Sequence, residues 1–570
     1  MNDTEPDIFN FNFSGYSGQF VFDKDKKIKI LSDQDLKIEY VHNGEQAILG
    51  NGSEHQALVS IKSMFSGAIT SFTITTPDGN KYVFADTEVS LSNGLGQTTS
   101  TDLGTYGGVI DCAPPIRNGR EYNLDYIRNE KNRAAYSAWH LSKIYNSMGQ
   151  LEFNFEYINE LMIDQSQISE TYNSCSSKVH TSAGININLS KRLHNVKAYA
   201  KKETVEGVIP VYDVTFRTDD NQDRLDLFYP SAILPLMTIG NYQKVRALKT
   251  IEYNVYNDGS PTLLKSFEFN YDYFAKTVFP ATCTNVKDFV QKHRERLRLS
   301  SIQEIGSDNT TKIEPYVFTY DGTPLPPRHS AAQDFWGYYN GGKSKSLLPQ
   351  IYIYPSDPLS ATTHRTMYSS FRRESVTTEH TLFPLTTMYG VHDRTSNDAF
   401  SKAGILNKIV YPTKGWVNFE FESNEYDWQF VSSTGTRTKK GGGIRIKKIT
   451  NSEGLEKTYT YTNTEGTASS GKLAELPLFA KGNKVSCSAS GIEDLLKKSA
   501  QVSSSSYVST PSVAYDRVTE LTKNNGKAVH SMFQFSKNRT FLKNLKNNIL
   551  IYNKISIFYF YKNYKKIIKF

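Results

Sequence analysis

The sequence predicts a mainly β protein, built from antiparallel β-hairpin repeats that form one extended or curved sheet, with few short helices. Three observations carry that prediction. Phe (32), Tyr (36) and Trp (4) make 72 of 570 residues, an excess suited to pleated, half-buried surfaces. One unit, an apolar residue followed three positions later by Ile, then a turn, then aromatics at alternate positions, recurs along the chain. Between its halves lie Gly, Asp, Asn or Ser, the residues that reverse a hairpin.

The first copy is Leu141-x-x-Ile144, a turn around Gly149, then Phe153, Phe155 and Tyr157. The second is Leu248-x-x-Ile251, Asp258-Gly259, then Phe267, Phe269 and Tyr271. The third is Leu299-x-x-Ile302, Gly306 to Asn309, then Tyr316, Phe318 and Tyr320. Leu406-x-x-Ile409, Lys414-Gly415, Phe419 and Phe421 form the fourth. The fifth is Ile446-x-x-Ile449, a turn ending at Gly454, then Tyr459 and Tyr461. Thr73-Ile74, Asp78-Gly79, Tyr82 and Phe84 make a related hairpin. Alternation puts successive aromatics on one face of a strand. A lone hairpin is marginal in water, so these faces must pack on one another or extend a shared sheet. The irregular spacing argues against a propeller or solenoid of fixed period; an ordinary antiparallel protein that reuses hairpins is the plainer alternative.

Short surface helices are expected at Tyr122 to Tyr136, Asp288 to Leu299 and Ile492 to Ala500, which are polar and charged. Ser503 to Ser506 reads as a break before a last strand-like run, Ser512 to Leu521. The organisation expected is a β-rich segment over 1–135, a hairpin-repeat segment over 136–535 and an atypical basic tail over 536–570 outside the fold.

Lys and Arg number 66 against 58 Asp and Glu, a net +8. The last acidic residue is Glu520, and the 11 cations beyond it leave 55 against 58, or −3, for residues 1–520. Composition therefore makes no case for a nucleic-acid partner. From Phe541 to Phe570, Lys 7, Asn 5, Ile 6, Phe 4 and Tyr 4 make 26 of 30 residues, all types with codons of A and T alone. That tail reads as an accidental extension after a frameshift or rearrangement; a basic membrane- or nucleic-acid-binding tail is the alternative. The stretch Ile549 to Tyr561 contains Asn553 and Lys554 and is too short to span a bilayer, so no membrane span is expected. The N-terminal residues show no basic region followed by an apolar one, so no secretory signal is read there. Cys112, Cys175, Cys283 and Cys487 lie too far apart for a metal-ligand pair and too sparsely for a disulfide framework; they read as separate thiols, with a long-range disulfide as the alternative.

Catalytic patterns are scarce. There is no HExxH, no GxxxxGK[ST], no GxSxG and no zinc-spaced cysteine pair, and neither a catalytic residue, a cofactor nor a metal is expected. Gly15-Tyr16-Ser17-Gly18 reads as a strand entry. Gly441-Gly442-Gly443 precedes Ile444, Ile446 and Ile449 and reads as a bulge or close backbone approach rather than a phosphate cradle. Among the histidines, only His140 and His392-Asp393 lie beside suggestive partners, and a structural or surface role is expected of each. The densest cluster is Asp334 to Gly341. Trp336, Tyr338 and Tyr339 could form a platform for sugar rings, with Asp334 and Asn340 fixing hydroxyls, which makes a glycan a second candidate partner. The competing reading is a packed corner, with Gly337 and Gly341 permitting the turn. A hydrolase with a carboxylate pair is the weakest reading, since no pair of acids stands out.

Several longer strings resemble the large Rhs/YD-repeat proteins of Bacteroidota. They are Pro6-Asp7-Ile8-Phe9-Asn10-Phe11-Asn12-Phe13-Ser14-Gly15-Tyr16-Ser17-Gly18-Gln19-Phe20, Trp139-His140-Leu141-Ser142-Lys143-Ile144, Gln333-Asp334-Phe335-Trp336-Gly337-Tyr338-Tyr339-Asn340-Gly341 and Gly442-Gly443-Ile444-Arg445-Ile446-Lys447-Lys448-Ile449. Together they spread over the body of the chain, from about residue 6 to about 530. The resemblance implies a secreted or cell-surface protein whose repeats wind into a β-sheet shell around, or presenting, another polypeptide such as a toxin or effector. It implies that this chain is an interior fragment of such a shell, with polypeptide cargo or the remaining shell segments as partners. Retention of the fragment in the cytoplasm is the alternative, because no signal is read.

Overall fold

The computed structural model describes residues 7–42, 69–102, 133–173, 178–201, 208–219, 222–227, 229, 242–257, 259–278, 292, 294–328, 330–342, 351–353, 366–368, 387–389, 394–427, 438–473, 481–486, 493–500 and 513–531. The four cysteines, Asp258, His392-Asp393, Ser503 to Ser506 and the tail lie outside these residues. Among the described residues every element is a strand, and no helix is long and apolar enough to cross a membrane.

β1 (Ile8–Phe13), β2 (Tyr16–Phe22) and β3 (Ile28–Ile30) form a three-stranded sheet of their own. The main sheet begins with β4 (Lys37–Val41), β5 (Ser71–Thr75), β6 (Lys81–Asp102), β7 (Arg133–Tyr145), β8 (Leu151–Asn173) and β9 (Lys178–Lys201). It continues through β10 (Val208–Thr218), the short β11 (Gln243–Lys244), β12 (Leu248–Asn257), β13 (Ser260–Tyr273), β14 (Leu297–Gly306) and β15 (Tyr316–Tyr320). β16 (Ile351–Ile353), β17 (Thr366–Tyr368) and β18 (Thr387–Tyr389) form a three-stranded sheet with β16 in the middle. The chain then returns to the main sheet with β19 (Leu406–Val410), β20 (Trp416–Asp427), β21 (Thr438–Asn451) and β22 (Glu456–Thr460). β23 (Gly471–Leu473) pairs with β26 (Val513–Tyr515), and β24 (Lys481–Ser486) with β25 (Glu493–Ala500), whose other edge meets β8. β27 (Arg517–Thr522) and β28 (Gly526–Ser531) complete the order.

Neighbouring strands of the main sheet run β4-β5-β6-β7-β8-β9-β10-β12-β13-β14-β15-β19-β20-β21-β22-β27-β28, antiparallel at every step. Only β11 joins in parallel, on β8. β6 also pairs with β9, so β6, β7, β8 and β9 close a circuit. Leu189 of β9 lies in register with both Val89 and Leu161, and the three are 1%, 4% and 0% exposed. The expected division at residue 135 falls inside β7.

The predicted hairpins fall where the pattern places them: β7–β8, β12–β13, β14–β15, β19–β20, β21–β22 and β5–β6. Two of these turns, and the turn after β2, share a local cause. The Asn146 side-chain oxygen accepts the amides of Met148 (3.1 Å) and Gln150 (2.9 Å), and that of Asn451 accepts those of Glu453 (3.1 Å) and Leu455 (2.8 Å). Asp23, after β2, does the same for Asp25 and Lys27, both at 2.9 Å. The residue three positions on, Gly149, Gly454 or Lys26, takes positive φ (77°, 86° and 62°). This is a turn stabilised by its own first side chain, closed by one left-handed residue.

The expected helices are corrected where they are described. Arg133 to Tyr136 opens β7, Leu297 to Leu299 opens β14, and Glu493 to Ala500 is β25. A polar stretch without an apolar stripe at helical spacing has little to bury as a helix, whereas a vacant strand edge satisfies its whole backbone. Residues 122–132, 288–291, 293 and 492 lie outside the described residues.

Register makes one face of the sheet continuous. Directly opposed residues share a face. The pairs Ile38–Ile74, Ile74–Tyr82, Tyr82–Ile144 and Ile144–Phe153 carry an apolar row from β4 to β8. From Phe155 the row passes to Val196, Val214 and Tyr253. Phe216 leads to Ile251 and Phe267, and Phe269 to Ile302 and Tyr316. Phe318 leads to Ile409 and Val417, and Phe419 to Ile449. The other face is polar: Lys197 meets Glu156 (3.3 Å), Arg217 meets Glu252 (2.7 Å) and Asn254 meets Asp213 (2.8 Å).

β1, β2 and β3 cover only the beginning of the apolar face. Phe11, Phe13, Phe20, Phe22, Phe72, Ile74 and Tyr82 are buried in one cluster there. Further along the sheet, among the described residues, no apolar side chain between Leu189 and Ala331 is buried. The described residues place no second apolar layer over the middle of the sheet.

Leu189→Ala leaves a hole against two strands at once and should cost about 2–5 kcal/mol. Urea unfolding checks this; a loss below about 1 kcal/mol would show that the closed circuit does not depend on this contact.

Candidate functional site

The segment 330–342 packs against 394–400 and the glycine run of β21. Asp334 begins a turn of the same kind as the hairpin turns: its Oδ1 accepts the amides of Trp336 and Tyr338, both at 2.9 Å, and Gly337 takes φ 91°. Its Oδ2 accepts the Ser396 hydroxyl at 2.6 Å. The carboxylate is 1% exposed. Burial raises it above the usual carboxylate range, against the hydrogen bonds from Ser396, Tyr338 and Trp336 and the charge of Arg394. Arg394, equally buried, donates to the Asp334 carbonyl (2.8 Å) and the Gln333 carbonyl (3.3 Å) and lies 5.8 Å from the Phe335 ring centre. Asn340 donates to the Thr395 carbonyl (3.2 Å) and accepts the Gly342 amide (2.9 Å).

The aromatic residues of the cluster divide between two walls. A side chain at Gly442 would sit 2.3 Å from Cβ of Trp336, and one at Gly443 would sit 2.9 Å from the Tyr338 ring. The glycines of β21 thus let the turn lie against bare backbone, the close approach expected from their run. Tyr339 instead stacks edge-on against Phe400, ring centres 5.3 Å apart. Trp336 and Tyr339 are partly buried and Asn340 is buried, while Tyr338 is 45% exposed. The cluster foreseen from sequence is therefore one structural unit, with the carboxylate and the amide already engaged by neighbouring backbone and Ser396.

Beneath the glycines, Asn424 donates to the Gly442 carbonyl (2.9 Å) and accepts the Tyr515 hydroxyl (2.9 Å). Arg445 binds Glu422 (2.7 Å) and Glu425 (2.8 Å), and its guanidinium lies 4.4 Å from the Tyr461 ring centre and 5.3 Å from that of Tyr515. A cation held between two rings and two carboxylates joins β20, β21 and β26.

A second ionic centre left no pattern in the sequence. Asp226, 2% exposed, takes Arg224 in a two-point contact (2.9 and 2.7 Å) and Arg328 at 2.8 Å. Burial works to raise its carboxyl, and the Arg224 hydrogen bonds with the charges of Arg224 and Arg328 overcome it, so the group lies below its usual range. Arg328 is distant in sequence, so no spacing rule could have joined them. The polar residues around His140 are structural as well. His140 Nε2 lies 3.1 Å from Glu88, and the Ser142 hydroxyl accepts the amide of Ala85 (3.0 Å), which a bulge removes from the ladder, while donating to Asp86 (2.9 Å). Among the described residues no group of three or more His, Cys, Asp or Glu side chains is placed to hold a metal ion.

No family model matches the chain, and no curated protein does. Among solved structures it is similar to the crystal structure of TcdB2-TccC3-TEV, at 10% identity over 78% of this chain, with a TM-score of 0.25. It is likewise similar to the Tc holotoxin pore of Photorhabdus luminescens with mutated TccC3, at 10% identity over 78% of this chain, with a TM-score of 0.24. The chain spans 18% and 15% of those chains.

Trp336→Ala removes a ring that fills the space over Gly442 and should destabilise this region by about 3–5 kcal/mol. Thermal melting checks it alongside a glycan array; lost glycan binding with an unchanged melting curve would assign the ring to sugar recognition instead. Asp226→Asn leaves two guanidinium groups without their carboxylate and should cost about 3–5 kcal/mol at pH 7. The native carboxyl titrates below its unfolded value, so its contribution is complete above pH 4 and fades as pH falls further. The gap between variant and wild type should narrow as pH falls below the unfolded value; a gap as wide at pH 2 as at pH 7 would refute the charge account.

Proposed function

We propose that the chain is a non-enzymatic shell segment of a secreted or cell-surface protein, and that it works by enclosing or displaying another polypeptide. The single observation that carries this reading is the uncovered apolar face. Antiparallel sheets with one apolar face bury it against something, and from β10 to β15 the described residues supply no second layer. A cover from another polypeptide, or from further turns of the same shell, satisfies that face without any reacting side chain. The resemblance of the β1–β2, β7, 333–341 and 442–449 strings to Rhs/YD-repeat proteins points the same way and suggests a toxin or effector as the enclosed partner.

The test fuses an unfolded reporter polypeptide after Phe570 and follows its digestion by thermolysin. The reporter should be digested about tenfold more slowly than the same reporter fused to a Phe267→Glu/Phe419→Glu chain, a difference worth about 1.4 kcal/mol of protection. Equal digestion of the two fusions would overturn the shell reading.

A further inference from the structure

The one described cover of the apolar face shows what chemistry fits it. β1 and β2 are a hairpin with Phe9, Phe11, Phe13, Phe20 and Phe22 at alternate positions of its strands. Four of these rings meet the main sheet directly: Phe13 lies 4.7 Å from Tyr82, Phe9 and Phe20 lie 5.8 and 5.4 Å from Phe72, and Phe22 lies 5.1 Å from Tyr40, centre to centre. The two sheets share no strand pairing. The contact is therefore made by side chains, sheet face on sheet face.

The same face continues beyond this cover with the same chemistry and the same spacing. Phe216, Phe267, Phe269, Ile302, Phe318 and Phe419 are each partly exposed, on strands about 4.8 Å apart with side chains at every second residue. A second hairpin of alternating aromatics meets that lattice as β1 and β2 meet its beginning. One charged pair lies on this face, Lys265 with Glu304 (3.4 Å), its ammonium 5.1 Å from the Phe267 ring centre. The opposite face offers the Lys197–Glu156 and Arg217–Glu252 pairs and no comparable row of rings.

We infer that the face from Phe216 to Phe419 is a docking surface for a partner polypeptide in β-hairpin form with aromatic side chains at alternate positions. The inference rests on the shell reading and adds what the covered polypeptide presents. An isolated hairpin is marginal in water, so the partner orders on the surface, as a second layer about 10 Å away.

A synthetic peptide of residues 8–22, fluorescently labelled, serves as the probe, titrated against the full chain by anisotropy. Saturable binding is expected. It should weaken about tenfold when Phe11, Phe13 and Phe20 of the peptide become Ser, and about tenfold on the Phe267→Glu/Phe419→Glu chain. Should that chain fail to fold by circular dichroism, Phe269→Ser/Ile302→Ser replaces it with the same expectation. No binding, equal binding of the serine peptide, or binding unaffected by the chain variants (exchange into the place of β1 and β2) overturns the inference. A wild-type dimer by light scattering that the same variants dissolve would assign the surface to a second copy, and also overturns it. Reporter protection without peptide binding leaves the shell reading standing and removes only this inference.

Discussion

Cross-strand pairing on one continuous face is the interaction on which the rest of this structure depends. In a two-layer protein each sheet leans on the other, and a poorly matched strand can be rescued from across the core. Here the described residues supply no such layer over the middle of the sheet, so among them each strand is held chiefly by its two neighbours. Register must then keep apolar residues opposite apolar residues over strand after strand. A slip of one residue at any step would turn the remaining row to the wrong face. That requirement explains why the hairpin unit is repeated: each copy hands the row to the next in phase.

The turns enforce the phase. An Asn or Asp that binds the amides two and four residues on, followed by one left-handed residue, fixes loop length and therefore register. Asp334 uses the same device away from any hairpin of the main sheet. There it folds a corner onto the glycines of β21; the buried Arg394 ties that corner to the segment 394–400, and the caged Arg445 joins the strands beneath it. The ionic centre at Asp226 secures the connection between β10 and β12 by the same logic. Ion pairs also cross the paired strands, as Lys197–Glu156 and Arg217–Glu252 do on the polar face, while aromatic residues line the other.

Much of this was legible. The alternating Phe and Tyr named both the strands and their apolar face, and Gly with Asp, Asn or Ser between the two halves named the turns, though not the side-chain hydrogen bonds that hold them. Gly441-Gly442-Gly443 announced a close approach, though not that Trp336 and Tyr338 would be what approaches. The helices expected at 492–500 and over the starts of β7 and β14 failed, where described, because charge and poor periodicity exclude a buried helix but do not choose between an exposed helix and a strand. Arg394 went unnoticed because its partners are backbone carbonyls some 60 residues away, which no local pattern records.

The sequence by itself determined the strand alternation, the turn chemistry and the near-neutral charge of its first 520 residues, because each is written within a few consecutive residues. Only the tertiary structure decided that the hairpins join into one sheet, that β6 closes on β9, and that Asp334 and Asn340 spend their polar atoms on backbone. Those outcomes depend on contacts between residues far apart in the chain, whose free energy is gained only once loops have closed and strands lie in register. The middle of the apolar face belongs to the same category: alternation foretold an apolar side, and only the assembled sheet showed how little of it the described residues cover.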